Sequence, residues 1–185
     1  MPRPSRADEA GGLYHAWNRG NSRTEIFRKE EDYAAFERIL SEGLQKSDVQ
    51  IRAYELMPNH WHLVLSPNES GAMSRFLRWV TATPTMRYHA HDPRRVKGTS
   101  LRGVSRVSRF RTTDTSFTVC RYVERNALRA ELVTRAEEWR WGSLWRWLQR
   151  PEPSPPLLSP WPIARWVQSR FAPCKFRVAL LMSGF

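Results

Sequence analysis

Met57-Pro58-Asn59-His60-Trp61-His62-Leu63-Val64-Leu65 is the stretch on which the fold turns. Pro58-Asn59 reads as a tight link, and the apolar run after it reads as a strand. In a strand, residues i and i+2 share a face. His60 and His62 therefore project side by side, while Trp61 and Leu63 point the other way. Before the link, Gln50 to Met57 alternates apolar and polar residues through Ile51, Ala53, Tyr54 and Leu56, so a second strand precedes the first.

Further elements are read outward from this pair. Leu13 to Asn18 is a short strand, closed by the turn signal Arg19-Gly20-Asn21. Glu30 to Lys46 carries Tyr33, Phe36, Ile39, Leu40 and Leu44 at helical spacing. Ser70 to about Tyr88 repeats that pattern with Met73, Phe76, Leu77 and Val80, and Pro84 is expected to end or kink it. Strand, helix, strand, strand, helix is most of a ferredoxin-like split β-α-β unit. The fold class is therefore α+β, an antiparallel sheet with packed helices. A later helix is expected over Thr115 to Ala130, with Phe117, Val119, Val123 and Leu128. The Trp-dense stretch from Trp139 through Trp141 and Trp145 to Trp147 reads as packing in preference to base stacking. Residues 12–150 form the expected domain, and 151–185 a tail that opens on the Pro-rich segment Pro151 to Pro162. The apolar patch Val178 to Met182 near its end has no assigned place, and the chain shows no internal repeat.

At 185 residues with a net charge of +12, the chain can bury a sizeable core and should meet a polyanion. All but four of its 30 basic residues (Lys29, Lys46, Lys97 and Lys175) are Arg. The planar fork of Arg grips phosphates bidentately and stacks on bases. The competing explanation is a GC-rich genome that inflates Arg content. Cys120 and Cys174 form neither a metal-type pair nor a disulfide framework, which fits a reducing cytosol. No apolar stretch approaches the roughly 20 residues of a membrane span, and the first residues lack a signal-peptide core. A soluble, intracellular protein with no membrane partner is expected.

Two imidazoles on one strand face can share a divalent metal ion. A metal beside a basic groove suggests phosphodiester chemistry on nucleic acid. Taken alone, His-x-His on a strand is more often surface decoration or packing. Arg121-Tyr122-Val123-Glu124-Arg125-Asn126 adds to it, because Tyr122 and Asn126 lie four apart and share a helical face. Asn126 offers a neutral oxygen to complete a site with two imidazoles, and Tyr122 a phenol that can attack phosphorus. Without the histidines they read equally well as a core Tyr beside a helix-end Asn. His15 reads as a satisfied core histidine in preference to a residue near the site. His89 and His91 read as loop histidines, or at most DNA contacts.

Met57-Pro58-Asn59-His60-Trp61-His62 and Tyr122-Val123-Glu124-Arg125-Asn126-Ala127-Leu128-Arg129-Ala130, with Tyr14-His15 and Arg19-Gly20-Asn21, resemble the single-tyrosine HUH transposases. The branch they resemble most is the REP-associated tyrosine transposases of bacteria, relatives of the smallest insertion-sequence transposases. The resemblance runs from about Gly12 to Trp147. It implies an HUH endonuclease-type domain that cleaves and rejoins single-stranded or hairpin DNA through Tyr122. It also implies Mg²⁺ or Mn²⁺ held by His60, His62 and Asn126, a 5′-phosphotyrosine intermediate, and a cytoplasmic, nucleoid-associated location. Arg19, Arg102, Arg106, Arg109, Arg111, Arg121 and Arg125 are the candidate DNA contacts. Relatives include monomers and homodimers, with Tyr122 acting on its own or a partner's site.

The segment 86–117 departs from the resemblance. The family carries a Gln-Gly-Arg-Phe box after an aromatic residue, where this chain has a basic run with seven cations between Arg94 and Arg111 and no acid. A local shift of reading frame, restored before Cys120, would account for it. The alternative is a divergent Arg-rich DNA-binding loop. The rivals to a transposase are a catalytically decayed or non-catalytic DNA-binding protein and a metal-dependent nuclease that uses water.

Overall fold

Alternation and helical spacing translate into strand β1 (Leu13–Arg19), helix α1 (Glu30–Lys46), strands β2 (Val49–Met57) and β3 (His60–Pro67), and helix α2 (Ala72–His91). Strand β4 (Arg106–Phe110) and helices α3 (Thr113–Val123), α4 (Asn126–Arg129) and α5 (Ser143–Leu148) complete the order. This computed structural model describes residues 8–21, 24–91, 106–110, 113–149 and 153–159, with side chains except at 85–91 and 113–116. The four strands form one antiparallel sheet in the order β2-β3-β1-β4. The expected α+β class, a ferredoxin-like antiparallel sheet with packed helices, is the one observed. No helix among the described residues is long and apolar enough to cross a membrane.

One sheet face carries the main core. Tyr14, Tyr54, Leu56, Trp61, Leu63 and Leu65 pack there against Phe36 and Leu40 of α1 and Met73 and Phe76 of α2. Each fully buried Leu or Phe of this layer contributes about 1.5–3 kcal/mol. A register irregularity between Ile51 and Ala53 places Ile51 and Tyr54 in this core, while Ala53 joins the opposite face. That second face has a smaller cluster of Ala53, Val64, Cys120 and Val123, so α3 covers only part of it.

Helix α1 begins where Asp32 Oδ2 accepts the backbone N–H groups of Arg28 (2.9 Å) and Lys29 (3.3 Å). Glu30, Glu31 and Asp32 also place negative charge at its positive end. Its Gly43 lets α2 come close, since a Cβ there would lie 2.8 Å from Phe76 Cε2.

Three expectations change. Of the two outcomes expected at Pro84, an end or a kink, the end does not occur: α2 continues through it to His91. Proline deprives the Val80 carbonyl of its usual donor, and one turn earlier the Thr81 hydroxyl donates to the Leu77 carbonyl at 2.7 Å. The helix expected over Thr115 to Ala130 is two helices, because the backbone N–H of Ala127 turns to the Glu55 carboxyl at 2.7 Å. The departing Arg-rich segment also supplies β4, an edge strand paired with β1.

The Trp-dense stretch packs, as expected. Trp141 stacks on Tyr33 at 4.9 Å, and the Trp139 indole donates to the Leu56 carbonyl at 2.9 Å. Beyond residue 150 the chain returns to β2, where Leu157 is buried and Leu158 bridges to Ile51.

Candidate functional site

The second sheet face is where chemistry-bearing residues meet. Register sets Trp17 and Glu55 on either side of His62, and Arg19 and Met57 on either side of His60. The rings of His60 and His62 are 4.9 Å apart, as their spacing on a strand requires. Each has its Nδ1 engaged: His60 with Asn59 Oδ1 at 2.6 Å, His62 with His15 Nε2 at 2.8 Å. An imidazole whose Nδ1 carries the proton in such a contact keeps its Nε2 lone pair for another group.

All three rings are neutral near neutral pH. Burial lowers His15 to about 4. Burial, with the charge of Arg19, lowers His60 to about 4. Burial, then the neighbouring His15, His60 and Arg19, lowers His62 to about 2. Neutral imidazole is the form that donates to a metal, so the pair suits a divalent ion. Among the described residues no cluster of three or more His, Cys, Asp or Glu is arranged to hold one.

Tyr122, in the last turn of α3, is 42 % exposed. Its ring stands edge-on to His62 and to His15, with centroids 6.2 Å away in both cases. The Arg129 guanidinium lies over the phenol, 4.6 Å from its centroid. Asn126 opens α4, and its side-chain nitrogen donates to the Val123 carbonyl at 3.1 Å. A planar carboxamide held by its nitrogen turns its oxygen the other way. The backbone of Asn126 and Ala127 is hydrogen-bonded to Glu55, the cross-strand neighbour of His62. Burial pushes the Glu55 carboxyl up to about 8, against the pull of those backbone bonds, so it is largely protonated at neutral pH. Its Oε2 is buried and meets no hydrogen-bond partner among the described residues.

The candidate DNA contacts divide. Arg19 is half-buried beside His60. Arg106 lies over the Trp17 ring at 5.2 Å, and Arg109 pairs with Glu9 at 2.8 Å. Arg121 and Arg125, both half-buried, flank Tyr122. Arg102, Arg111 and the side chains of His89 and His91 lie outside the described residues, although the backbone puts both histidines in the last turn of α2 rather than in a loop.

His15 corrects its own reading. It is a half-buried member of the cluster on the second face, not a core histidine. Sequence reasoning also passed over Trp17, Glu55 and Arg129. Alternation places His15 and Trp17 on one face of β1, but only the β1–β3 register sets that face against His62.

An α+β domain whose partly open sheet face joins paired neutral histidines to an exposed tyrosine is the class these elements define. A family model described as "Transposase IS200 like" matches residues 11–126, which span β1 through Asn126, and the chain belongs to that family. Among solved structures it is similar to a REP-associated tyrosine transposase bound to a REP hairpin. That likeness has a TM-score of 0.68 at 16 % identity and covers 83 % of this chain and 88 % of the other. A putative transposase from Deinococcus radiodurans R1 is similar at TM-score 0.46 and 17 % identity, over 67 % of this chain and 95 % of that one. No curated protein matches the chain.

Proposed function

We propose that the protein is a REP-associated-type tyrosine transposase that cleaves and rejoins single-stranded or hairpin DNA through Tyr122. The observation that carries this reading is the meeting of Tyr122 with His62 within one chain, ring to ring at 6.2 Å. The phenolic oxygen attacks phosphorus in line. A bond forms from that oxygen to phosphorus, and the bond from phosphorus to the 3′ oxygen breaks. The phenol proton leaves to solvent, which the exposure of Tyr122 permits, and the 3′ oxygen takes one up. The products are a 5′-phosphotyrosine and a 3′-hydroxyl. The reverse attack rejoins DNA, and because the covalent bond retains the phosphodiester energy, no nucleotide cofactor is required.

His60 and His62, through Nε2, and Asn126, through its side-chain oxygen, would hold Mg²⁺ or Mn²⁺. Such an ion, when bound, polarises the phosphoryl oxygen and offsets charge developing on it. Arg19, Arg106, Arg121 and Arg125 contact the DNA backbone, while Arg109 first has to leave Glu9. The catalytic unit is 12–150, followed by the tail 151–185, and one copy suffices for the reaction because tyrosine and histidines meet within it.

The test is purified protein with labelled hairpin DNA from its own flanking locus and Mn²⁺. A protein–DNA band that survives denaturation, and is lost in Tyr122→Phe and His60→Ala, supports the reading. Retention of DNA without that band would show a binding protein, and cleavage without it a nuclease using water.

A further inference from the structure

His15 has no part in the reaction as written, yet it touches both of the groups that matter most to it. Its Nε2 lies 2.8 Å from His62 Nδ1, with the two rings end to end, centroids 5.0 Å apart and planes 21° from parallel. It also meets the Tyr122 ring edge-on at 6.2 Å and 72°, and the Phe110 ring at 6.5 Å. One of the two facing nitrogens donates and the other accepts. If His62 is to turn its Nε2 lone pair toward a ligand, its proton sits on Nδ1 and His15 Nε2 is the acceptor. His15 then carries its own proton on Nδ1. His60 has the same arrangement supplied locally, by Asn59. His62 has to obtain its acceptor from a different strand, and β1 supplies it diagonally, since His15 pairs with Val64 rather than with His62.

We propose that His15 is a positioning residue that holds His62 in its Nδ1–H tautomer and, as a wall for the Tyr122 ring, sets how well His62 presents Nε2 to a divalent ion. This rests on the metal role given to His62 above. Orienting partners of this kind typically change metal affinity by roughly 10–100-fold. The same ring links ligand and nucleophile, so its loss should loosen both.

The experiment has two readouts on the full-length protein. In metal-free protein, nitrogen-15 chemical shifts report which ring nitrogen of His62 carries the proton. The wild type is expected to show Nδ1–H and His15→Phe a mixture, because Phe keeps the ring and removes the acceptor. Mn²⁺ binding, followed by electron paramagnetic resonance without DNA, is expected to weaken by roughly 10–100-fold in His15→Phe. His15→Gln, whose carbonyl restores an acceptor, should recover much of it. An unchanged amide spectrum is the folding control, and should His15→Phe unfold, the wild-type shifts and His15→Gln still decide. Nε2–H on wild-type His62, or unchanged Mn²⁺ affinity in folded His15→Phe, overturns the proposal. Loss of Mn²⁺ binding in His60→Ala separates the two claims: if wild type and His60→Ala both fail to bind Mn²⁺, the metal reading falls, whereas the tautomer readout still judges His15.

Discussion

At the scale of single residues, the site depends on groups whose type says little about their role. A Glu in a strand, such as Glu55, ordinarily faces water, yet here it is 1 % exposed and holds the start of α4. Its folded pKa, about 8, stands above the ordinary value of 4.5. Between those values the folded state keeps a proton that the unfolded state has released, so stability falls as pH rises across that window. Glu55→Gln, neutral at every pH, should flatten that fall and raise stability at the alkaline end by a few kcal/mol. Urea denaturation in chelator at several pH values measures it, and a wild-type stability that does not decline over this range would count against a protonated Glu55. Arg129 makes a second case. A cation over an exposed ring is worth about 0.5–1 kcal/mol. Arg129→Ala should therefore lower the melting temperature by about 1–4 °C, read by thermal denaturation, and slow formation of the Tyr122–DNA adduct by freeing the ring.

Elements were legible where burial imposed a period. The alternation at the start of β2 and the Tyr33, Phe36, Leu40 stripe of α1 exist because one side of each must leave water, whereas β3 reads as an apolar run because both of its faces are largely covered. Strand β4 was not legible, because an edge strand needs only one partner, and its most apolar residues, Val107 and Phe110, are only half-buried. The break between α3 and α4 was hidden for another reason. It depends on a carboxyl that arrives from β2, far away in sequence. Close approach of α1 and α2 at Gly43 gives a prediction at this scale. Gly43→Ala gains about 1 kcal/mol of helix propensity, but its methyl meets the Phe76 ring, and overpacking costs about 1–3 kcal/mol. A net loss in urea midpoint is expected, and a gain would show that Phe76 moves aside freely.

At the scale of the whole molecule, a buried ion pair joins α5 to α1. Arg146 Nη2 reaches Glu37 Oε2 at 2.8 Å, its Nε donates to the Tyr54 hydroxyl at 2.6 Å, and its Nη1 donates to the carbonyls of Pro153 and Pro155. Arg146→Met would leave Glu37 buried and uncompensated, at a cost of about 3–5 kcal/mol. It should also free residues 153–159 from β2, so limited proteolysis should cut there first. Resistance equal to wild type would mean that Leu157 and the backbone bridge to Ile51 anchor the segment without Arg146. The amino-acid sequence by itself determined the α+β order and the shared face of His60 and His62, because each is a short-range consequence of strand or helix period; Tyr122 and Asn126 were candidates by residue type, since the helix breaks between them. Only the tertiary structure decided that His15 stands against His62 and Tyr122, that Glu55 ties β2 to α4, and that Arg129 covers the phenol. Those contacts depend on register and on packing between distant segments, and no local period records them.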